Sequence, residues 1–192
     1  MKILLGDFKG RNFYRPLGIR PIQNVVRKAV FDMLGHDLAG MDFLELFAGS
    51  GAVGLEAASL GAKRVVWVEH DPRCCKAIED SLRVLNLNSY ENSNPNYQLI
   101  PSDAFAAVKQ LARLNKKFDV IYLDPPYGVE LAKKILKTLN AYDILAPDCF
   151  VILQCYKSEI LPEPEQGRFL LIKQKHYGAS YLSVYKDKRS VS

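Results

Sequence analysis

A carboxylate, two prolines and an aromatic residue follow an apolar stretch in the segment FDVIYLDPPYG, residues 118–128. The apolar stretch reads as a buried strand, where a carboxylate is costly to bury and prolines interrupt the hydrogen-bond ladder. Asp124 therefore marks the point where the strand leaves the sheet, and Pro125 and Pro126 fix the backbone so that a carbonyl can face a ligand. Tyr127 adds an aromatic face on which a planar ring could stack. The segment thus offers hydrogen-bond acceptors and an aromatic face to a ligand.

A second stretch that could do chemistry is the glycine-rich segment LELFAGSGAVGLE, in which Gly49, Gly51 and Gly54 have the spacing G-x-G-x-x-G. Glycines between a strand and a helix allow a sharp turn, and the helix start presents free backbone N–H groups to a ligand. Glu69 ends the next predicted strand about 20 residues later, where a carboxylate can accept hydrogen bonds from ribose hydroxyls. These features suit either a nicotinamide dinucleotide or S-adenosylmethionine.

Glu45, in the strand just before the glycines, favours the second cofactor. A carboxylate at this place would repel a pyrophosphate but attract the sulfonium and ammonium groups of S-adenosylmethionine. The order E-x-F-A-G-S-G also resembles the first motif of the S-adenosylmethionine-dependent methyltransferases. The resemblance implies a cofactor site made of Glu45, Phe47, Ala48, Gly49, Ser50, Gly51, Glu69 and His70.

Asp103 and Ala104 follow the third predicted strand and extend the expected cofactor site. The Asp103 side chain could accept a hydrogen bond from an adenine amino group, and the Ala104 N–H could contact the ring. An aspartate at the start of a helix is also a common N-cap, and the two roles are compatible.

Strands and helices alternate along the middle of the chain. Strands are predicted at 41–47, 64–70, 97–103, 118–124 and 148–156, and helices at 22–35, 52–62, 71–86, 104–115 and 129–145. Asp71 is a plausible N-cap with Pro72 at the first helical position. Residues 91–96 read as a polar loop, and residues 167–186 as two strands around a turn at Tyr177-Gly178.

This alternation predicts an α/β protein with parallel strands and right-handed crossovers. We expect a Rossmann-like class I methyltransferase fold: a mostly parallel seven-stranded sheet with helices on both faces and a C-terminal antiparallel hairpin. Ligands bind at the carboxyl ends of strands in such sheets, at a topological switch point, where Asp124 and the glycine loop would meet. We expect one domain over residues 1–192, with a basic N-terminal extension at 1–35.

The sequence Asp-Pro-Pro-Tyr resembles the (Asp/Asn)-Pro-Pro-(Tyr/Phe/Trp) motif of methyltransferases that act on exocyclic or planar amide nitrogens. The lone pair of such a nitrogen is delocalised, which makes the amine a poor nucleophile. Hydrogen bonds from its two N–H groups to the Asp124 carboxylate and the Pro125 carbonyl would favour pyramidal geometry and in-line attack on the methyl carbon. The resemblance therefore implies catalytic roles for Asp124, Pro125, Pro126 and Tyr127.

Nearly the whole chain resembles the RsmD family, bacterial enzymes that methylate the exocyclic N2 of a guanine in 16S ribosomal RNA. The resemblance is carried by MKILLGDFKGRNF, GIRPIQNVVRKAVFDML, LELFAGSGAVGLEAASLGA, VVWVEHD, FDVIYLDPPYG and KQKHYGASYLSVY. It implies an RNA substrate on an assembling small ribosomal subunit. Ile22 and Leu60 depart from the usual family pattern, which has threonine and arginine at these places, and the first change removes a hydroxyl near the expected RNA entrance.

Both ends of the chain are basic, whereas the net charge is only +5. Residues 1–28 hold seven Lys or Arg and one acidic residue, and residues 168–192 hold six and one. Such ends could meet a polyanion, and contacts with phosphates position a nucleic acid without specifying its sequence. The candidate RNA-binding residues are Lys9, Arg11, Arg15, Arg20, Arg27 and Lys175, with Lys28, Lys173 and His176 nearby.

The rest of the composition narrows the alternatives. Hydrophobic content of 48% and charged content of 24% are those of a soluble globular protein, with no apolar run long enough for a membrane span and no secretory signal. The four cysteines lack metal-ligand spacing, so we expect reduced thiols, no metal, a cytoplasmic location and a monomer. Three other functions remain open: another exocyclic-amine or glutamine methyltransferase, a nicotinamide-linked oxidoreductase, and a non-catalytic RNA-binding module.

Overall fold

The computed structural model describes residues 1–19, 22–87, 96–126, 129–156 and 167–190. The helices are α1 (Asn24–Leu34), α2 (Ala52–Ser59), α3 (Pro72–Val84), α4 (Ala104–Arg113) and α5 (Val129–Ala141). The strands are β1 (Asp42–Leu46), β2 (Arg64–Glu69), β3 (Tyr97–Pro101), β4 (Phe118–Leu123), β5 (Leu145–Tyr156), β6 (Phe169–Tyr177) and β7 (Ser180–Asp187). A short 3-10 helix, Lys188–Ser190, follows β7.

The strands form one seven-stranded sheet in the order β3-β2-β1-β4-β5-β7-β6. The first five strands pair in parallel, whereas β7 pairs antiparallel with both β5 and β6. The predicted fold class is therefore confirmed. Strands β1, β2 and β4 are mostly apolar and largely buried on both faces, as expected where helices cover both sides of a parallel sheet.

Two hydrophobic clusters separate the helices into two layers. One cluster joins α1, α2 and α3 to one face of the sheet, and the other joins α4 and α5 to the opposite face. Both predicted N-caps are present: the Asp71 side chain accepts from the Arg73 N–H, and that of Asp103 from the N–H groups of Phe105 and Ala106. None of the helices in the described part of the chain is both long and apolar enough to cross a bilayer.

The N-terminal extension packs against α2 rather than extending from the body. Its Ile3 and Phe13 side chains are buried in the first cluster, and the Asp7 N–H donates to the Ser59 carbonyl at 2.8 Å. Gly6 lies so close to α2 that an added Cβ would approach the Ser59 carbonyl oxygen to 1.9 Å. The extension and α2 are therefore fitted to each other through the backbone.

Two predicted boundaries, the end of one helix and the start of the next strand, are wrong. The helix expected at 129–145 ends at Ala141, and β5 begins at Leu145 rather than at residue 148. A register shift separates the pairs Phe118–Leu145 and Val120–Phe150, and Asp148 between them has φ 61°. The irregularity lets β5 start before an apolar run is visible in the sequence. Residues 91–95 of the predicted polar loop lie outside the described residues.

Candidate active site

A cleft of about 540 Å³ opens at the carboxyl ends of β1, β2, β4 and β5. Its volume is within the range of small-molecule and cofactor sites. The predicted residues that line it are Glu45, Phe47, Ala48, Gly49, Ser50, Glu69, His70, Asp124, Pro125 and Pro126. Both sequence segments that were singled out for their chemistry therefore meet in one cavity. Tyr127 lies outside the described residues.

The glycine loop connects β1 to α2 through left-handed backbone conformations. Phe47, Gly49 and Gly51 have φ values of 59°, 55° and 70°, a region that costs a residue other than glycine about 1–3 kcal/mol. A Cβ added to Gly49 would meet no atom within 4 Å, so this glycine provides the backbone conformation and leaves the cleft side open. Gly54 has another role, because a Cβ there would lie 2.3 Å from the Trp67 Nε1. The last glycine of the motif thus allows α2 to pack on β2.

Glu45 is buried and accepts hydrogen bonds from the start of α2. Its carboxylate receives the Val53 N–H at 3.3 Å and the Gly54 N–H at 2.7 Å. Burial, with smaller contributions from the nearby carboxylates of Asp124 and Glu69, raises the pKa of Glu45 to about 8 despite these hydrogen bonds. A cationic ligand in the cleft would relieve this repulsion, whereas a pyrophosphate would increase it.

Glu69 holds the glycine loop against the end of β2. Its Oε2 accepts the Gly49 N–H at 2.7 Å, and its Oε1 accepts the N–H groups of His70 and Asp71, each at 2.8 Å. A carboxylate has about four acceptor positions, so Oε2 can also accept a ribose hydroxyl. His70 lies beside it, with its Nδ1 3.1 Å from the Glu69 Oε1.

Asp124 lies immediately next to the glycine-loop strand. β4 pairs with β1 so that Leu123 lies opposite Leu46, and the Asp124 N–H approaches the Leu46 carbonyl at 3.5 Å. The half-buried Asp124 carboxylate acts on the pKa of Glu45, which places the two charges in one electrostatic environment. The expected meeting of the carboxylate and the glycine loop is thus present in the fold.

The wall of the cleft contains carboxylates but no lysine or arginine among the residues that the structure describes there. Cys74 also lines it, but burial raises the pKa of its thiol to about 11, so the thiol stays neutral and is a weak nucleophile. In the described part of the chain, no group of three or more His, Cys, Asp or Glu is arranged to hold a metal ion. The carboxylates in the wall of the cleft suit hydrogen bonding and charge attraction to a cationic ligand.

Comparison with known proteins agrees with this site. The family described as Conserved hypothetical protein 95 matches residues 1–186. The chain is 30% identical to YlbH of Bacillus subtilis (strain 168), named as a candidate rRNA methyltransferase, over 98% of this chain and 100% of that protein. It is 29% identical to the ribosomal RNA small subunit methyltransferase D of Haemophilus influenzae, over 97% and 94% of the two chains. The solved structure of TTHA0928, a hypothetical protein of Thermus thermophilus, superposes with a TM-score of 0.80 at 29% identity, over 96% and 98%.

The chain belongs to this family, the RsmD family. It is a methyltransferase, and its methyl donor is S-adenosylmethionine, as the sequence motifs predict. The carboxylates of the cleft and the open side of Gly49 fit this donor, since its sulfonium and ammonium groups are cations.

A second pocket, of about 180 Å³, lies next to the cleft of this methyltransferase, beside Asp103 and Ala104. It shares Phe47, Glu69 and His70 with the main cleft, and Phe105 closes part of it. The Asp103 carboxylate caps α4 through its Oδ1, which accepts from Phe105 and Ala106 at 2.9 and 3.1 Å. The capping role is therefore present, and the adenine contact stays a prediction.

Sequence reasoning did not assign nine of the residues that line the cleft to this site: Gly18, Ile19, Ile22, Ala52, Val53, Asp71, Cys74, Tyr122 and Gln154. The first three belong to the extension, and no local motif marks them. Gln154 had a visible signal, because it is a lone polar residue in the apolar strand FVILQCY. Tyr122 looks like an ordinary core residue in the sequence, since it lies inside an apolar run.

The prediction that Arg27 binds RNA is wrong. Its side chain is 1% exposed, and its Nε lies 3.2 Å from the Glu56 Oε1 while its Nη2 donates to the Lys2 carbonyl at 2.7 Å. The guanidinium also lies over the Phe13 ring, 5.5 Å from its centroid, which is close enough for a cation–π contact. Arg27 therefore fastens the extension to the body and is not available to a phosphate.

The other basic candidates are at the surface where the structure describes them. Lys9, Arg15 and Lys175 are exposed, and Arg11 is half-buried. Arg11 donates to the Val84 carbonyl at 2.7 Å and Arg15 to the Ile19 carbonyl at 2.5 Å. Arg20 lies outside the described residues. RNA contacts of the exposed side chains remain a prediction.

Proposed function

We propose that this RsmD-family methyltransferase methylates the exocyclic N2 of a guanine in 16S rRNA, on an assembling small ribosomal subunit. The proposal rests on the adjacency of the Asp124 carboxylate and the glycine loop in one cleft. The names of the curated relatives, rRNA methyltransferases, support an rRNA substrate. Assembly of the subunit would place the enzyme in the cytoplasm.

The Asp-Pro-Pro segment holds the amine in this proposal. The Asp124 carboxylate and the Pro125 carbonyl accept the two N–H groups of the exocyclic nitrogen, so that its lone pair faces the donor. S-adenosylmethionine supplies an electrophilic methyl carbon, whose bond to sulfur breaks as the bond to nitrogen forms. The product nitrogen is transiently cationic beside Asp124, and it loses one proton to water. Positioning and charge stabilisation account for the rate, and a strong base is not required.

The target base must leave its stack to reach the cleft. Flipping costs a few kcal/mol in a duplex and less in an exposed loop, so an unpaired or easily opened guanine is preferred. The exposed Lys9, Arg15 and Lys175, together with Arg11 and Arg20, are the phosphate contacts that we propose. They would position the rRNA without reading its sequence.

The decisive experiment is transfer of a tritiated methyl group to 30S particles from cells that lack the gene. Digestion to nucleosides and chromatography against standards then identifies the methylated base, and primer extension maps its position. We expect label on N2-methylguanosine at one site. Label on N6-methyladenosine would replace this proposal with an adenine methyltransferase, and label on protein would exclude an RNA substrate.

The residue test uses Asp124→Ala with Asp143→Ala as its matched control. Asp143 is an aspartate outside the cleft, with a side chain that is 76% exposed and paired with Lys117. We expect methyl transfer to fall by about 10²–10³-fold in the first variant and to stay unchanged in the second. Binding of S-adenosylhomocysteine should survive in both, and an active Asp124→Ala enzyme would reject the proposed role.

A further inference from the structure

Polar side chains run across one face of the sheet in the order of the strands. Glu45 lies opposite Trp67 of β2 on one side and Tyr122 of β4 on the other, and Tyr122 lies opposite Ile152 of β5. Because side chains alternate along a strand, Gln154 and Tyr122 lie on the same face as Glu45. This row of polar side chains therefore extends beyond Asp124 to β5, one strand farther than the glycine-loop and Asp-Pro-Pro motifs.

The two ends of this row face different ligands. At the β2 and β1 end, Glu69 and the glycine loop are joined by the Gly49 N–H and form the cofactor side. Gln154, on β5, lies two strands from the glycine-loop strand β1, with Asp124 and Tyr122 of β4 between them, and all three side chains line the same cleft. Adjacent strands are about 4.8 Å apart, so side chains from β4 and β5 can converge on one planar base. The β5 end is thus the place for the edge of the target base.

Tyr122 fixes the direction of the Gln154 amide. The Tyr122 hydroxyl donates to the Gln154 Oε1 at 2.6 Å, and the two side chains are 1% and 5% exposed. Burying a hydroxyl and an amide is costly, whereas Phe and Leu would pack this site without that cost. Since the oxygen of the amide is engaged by Tyr122, the NH₂ group is the part that can donate to a ligand.

We propose that Gln154, oriented by Tyr122, recognises the ring acceptor next to the amine that Asp124 holds. The proposal rests on the proposed function, because it concerns the same target base. The Asp124 carboxylate accepts from the amine, and the Gln154 amide donates to the adjacent ring nitrogen, which is N3 beside the N2 amine of guanine. Asp124 and Gln154 together recognise an amine that has a hydrogen-bond acceptor next to it. A simple alkyl amine lacks this acceptor. Gln154 is then a specificity-determining residue, and Tyr122 is a positioning residue.

The test compares Gln154→Met and Tyr122→Phe with Cys155→Ala. Methionine keeps the length and volume of glutamine but removes the donor, and phenylalanine removes only the hydroxyl. Cys155 is the next residue of β5, buried on the opposite face. The assays are steady-state methyl transfer to 30S particles, calorimetry with S-adenosylhomocysteine, and urea denaturation.

We expect Gln154→Met to lower kcat/KM for the particle by about tenfold or more, and Tyr122→Phe by about threefold. Affinity for S-adenosylhomocysteine should stay within about twofold in both, and Cys155→Ala should match the wild type. Gln154→Glu, which replaces the donor with a charge beside Asp124, should lose more activity than Gln154→Met. A larger loss in Gln154→Glu than in Gln154→Met would indicate recognition rather than packing, because glutamate and methionine are both close to glutamine in volume.

Three outcomes would overturn the inference. Wild-type kcat/KM in Gln154→Met would show that the amide contacts no substrate. A loss of cofactor affinity that equals the loss of kcat/KM would assign Gln154 to the cofactor, and full activity in a folded Tyr122→Phe with a defective Gln154→Met would remove the positioning role. If Gln154→Met does not fold, Tyr122→Phe decides by the same assays. Failure of the wild type to label guanine N2 would instead count against the proposed function.

Discussion

Two regions of this methyltransferase bury carboxylates, and they differ in what compensates the charge. In the cleft, Glu45 accepts two backbone N–H groups and lies near the carboxylates of Asp124 and Glu69. At the other end of α2, Glu56 accepts the N–H groups of Leu4 and Leu5 at 2.8 and 3.0 Å. Glu56 also has a buried cation beside it, the guanidinium of Arg27.

We call Glu56, Arg27, Leu4 and Leu5 the extension clasp. Burial raises the pKa of Glu56, but the backbone N–H of Leu4 and the charge of Arg27 oppose that rise. In the cleft, the carboxylates of Asp124 and Glu69 raise the pKa of Glu45 instead. The clasp thus contains its own counter-charge, whereas the cleft is arranged so that a cationic ligand provides it. Neighbouring charge, and not burial alone, separates a structural carboxylate from a ligand-binding one.

The largest expected effect is in the clasp. Glu56→Ala would leave the Arg27 guanidinium buried without its carboxylate, and the Leu4 and Leu5 N–H groups without their acceptor. We expect the free energy of unfolding to fall by about 3–5 kcal/mol, measured by urea denaturation. Glu79→Ala, at an exposed position of α3, should change it by less than about 0.5 kcal/mol. A loss below about 1 kcal/mol for Glu56→Ala would show that the extension clasp contributes little to the stability of the protein.

In the cleft, replacing the buried carboxylate of Glu45 should change the affinity for the cofactor. In the free protein Glu45 holds its proton up to about pH 8, so the charge that Glu45→Gln removes, at nearly unchanged side-chain size, is fully present only above that pH. We therefore expect affinity for S-adenosylmethionine to fall by about tenfold at about pH 9, and by less at about pH 7. Affinity for S-adenosylhomocysteine should fall less, because that ligand lacks the sulfonium charge. Calorimetry with both ligands measures the difference. Equal losses for the two ligands would point to altered loop geometry rather than to charge.

The pH dependence of stability provides a third test of the cleft. Glu45 has a folded pKa of about 8 against 4.5 in the unfolded chain, so the folded state holds a proton that the unfolded state has lost between these values. The free energy of unfolding must therefore decrease as pH rises through this window, by about 1.4 kcal/mol per pH unit for one group.

We expect the wild type to lose about 2 kcal/mol relative to Glu45→Gln between about pH 6 and pH 7.5. Taking the difference between the two proteins removes the contribution of Glu56, whose pKa is also raised. Urea denaturation of both proteins at several pH values measures this difference in the free energy of unfolding. A difference that does not change with pH would place the folded pKa of Glu45 near its ordinary value.

The site was more predictable from sequence than the region that supports it. Asp124, Glu45 and Glu69 stand at the ends of short apolar strands, and the carboxyl ends of parallel strands share one edge of the sheet. Their meeting therefore follows from the strand order alone. Gln154 follows from the same rule, since it is a polar residue near the end of β5, but no known motif draws attention to it.

The extension could not be predicted in this way, because its contacts are between distant parts of the chain. In α1 the apolar Val25 is 53% exposed, whereas the charged Arg27 is buried together with Phe31. The helix is turned so that Arg27 meets Glu56, 29 positions away in sequence, and the Lys2 carbonyl. A buried arginine and a phosphate-binding arginine look identical in a sequence, and only the location of the partner separates them.

The smallest expected effect distinguishes these two kinds of basic residue directly. Lys175→Ala should lower affinity for an rRNA fragment a few-fold, and should reduce the slope of log affinity against log salt by about 0.7–0.9, because one phosphate contact is lost. Its free energy of unfolding should not change, since the side chain is exposed. Arg27→Met should do the reverse: it should destabilise the protein and leave the salt slope of the folded fraction unchanged. A salt slope that responds to Arg27 and not to Lys175 would mean that the clasp opens when RNA binds, and that the extension rather than β6 carries the phosphate contacts.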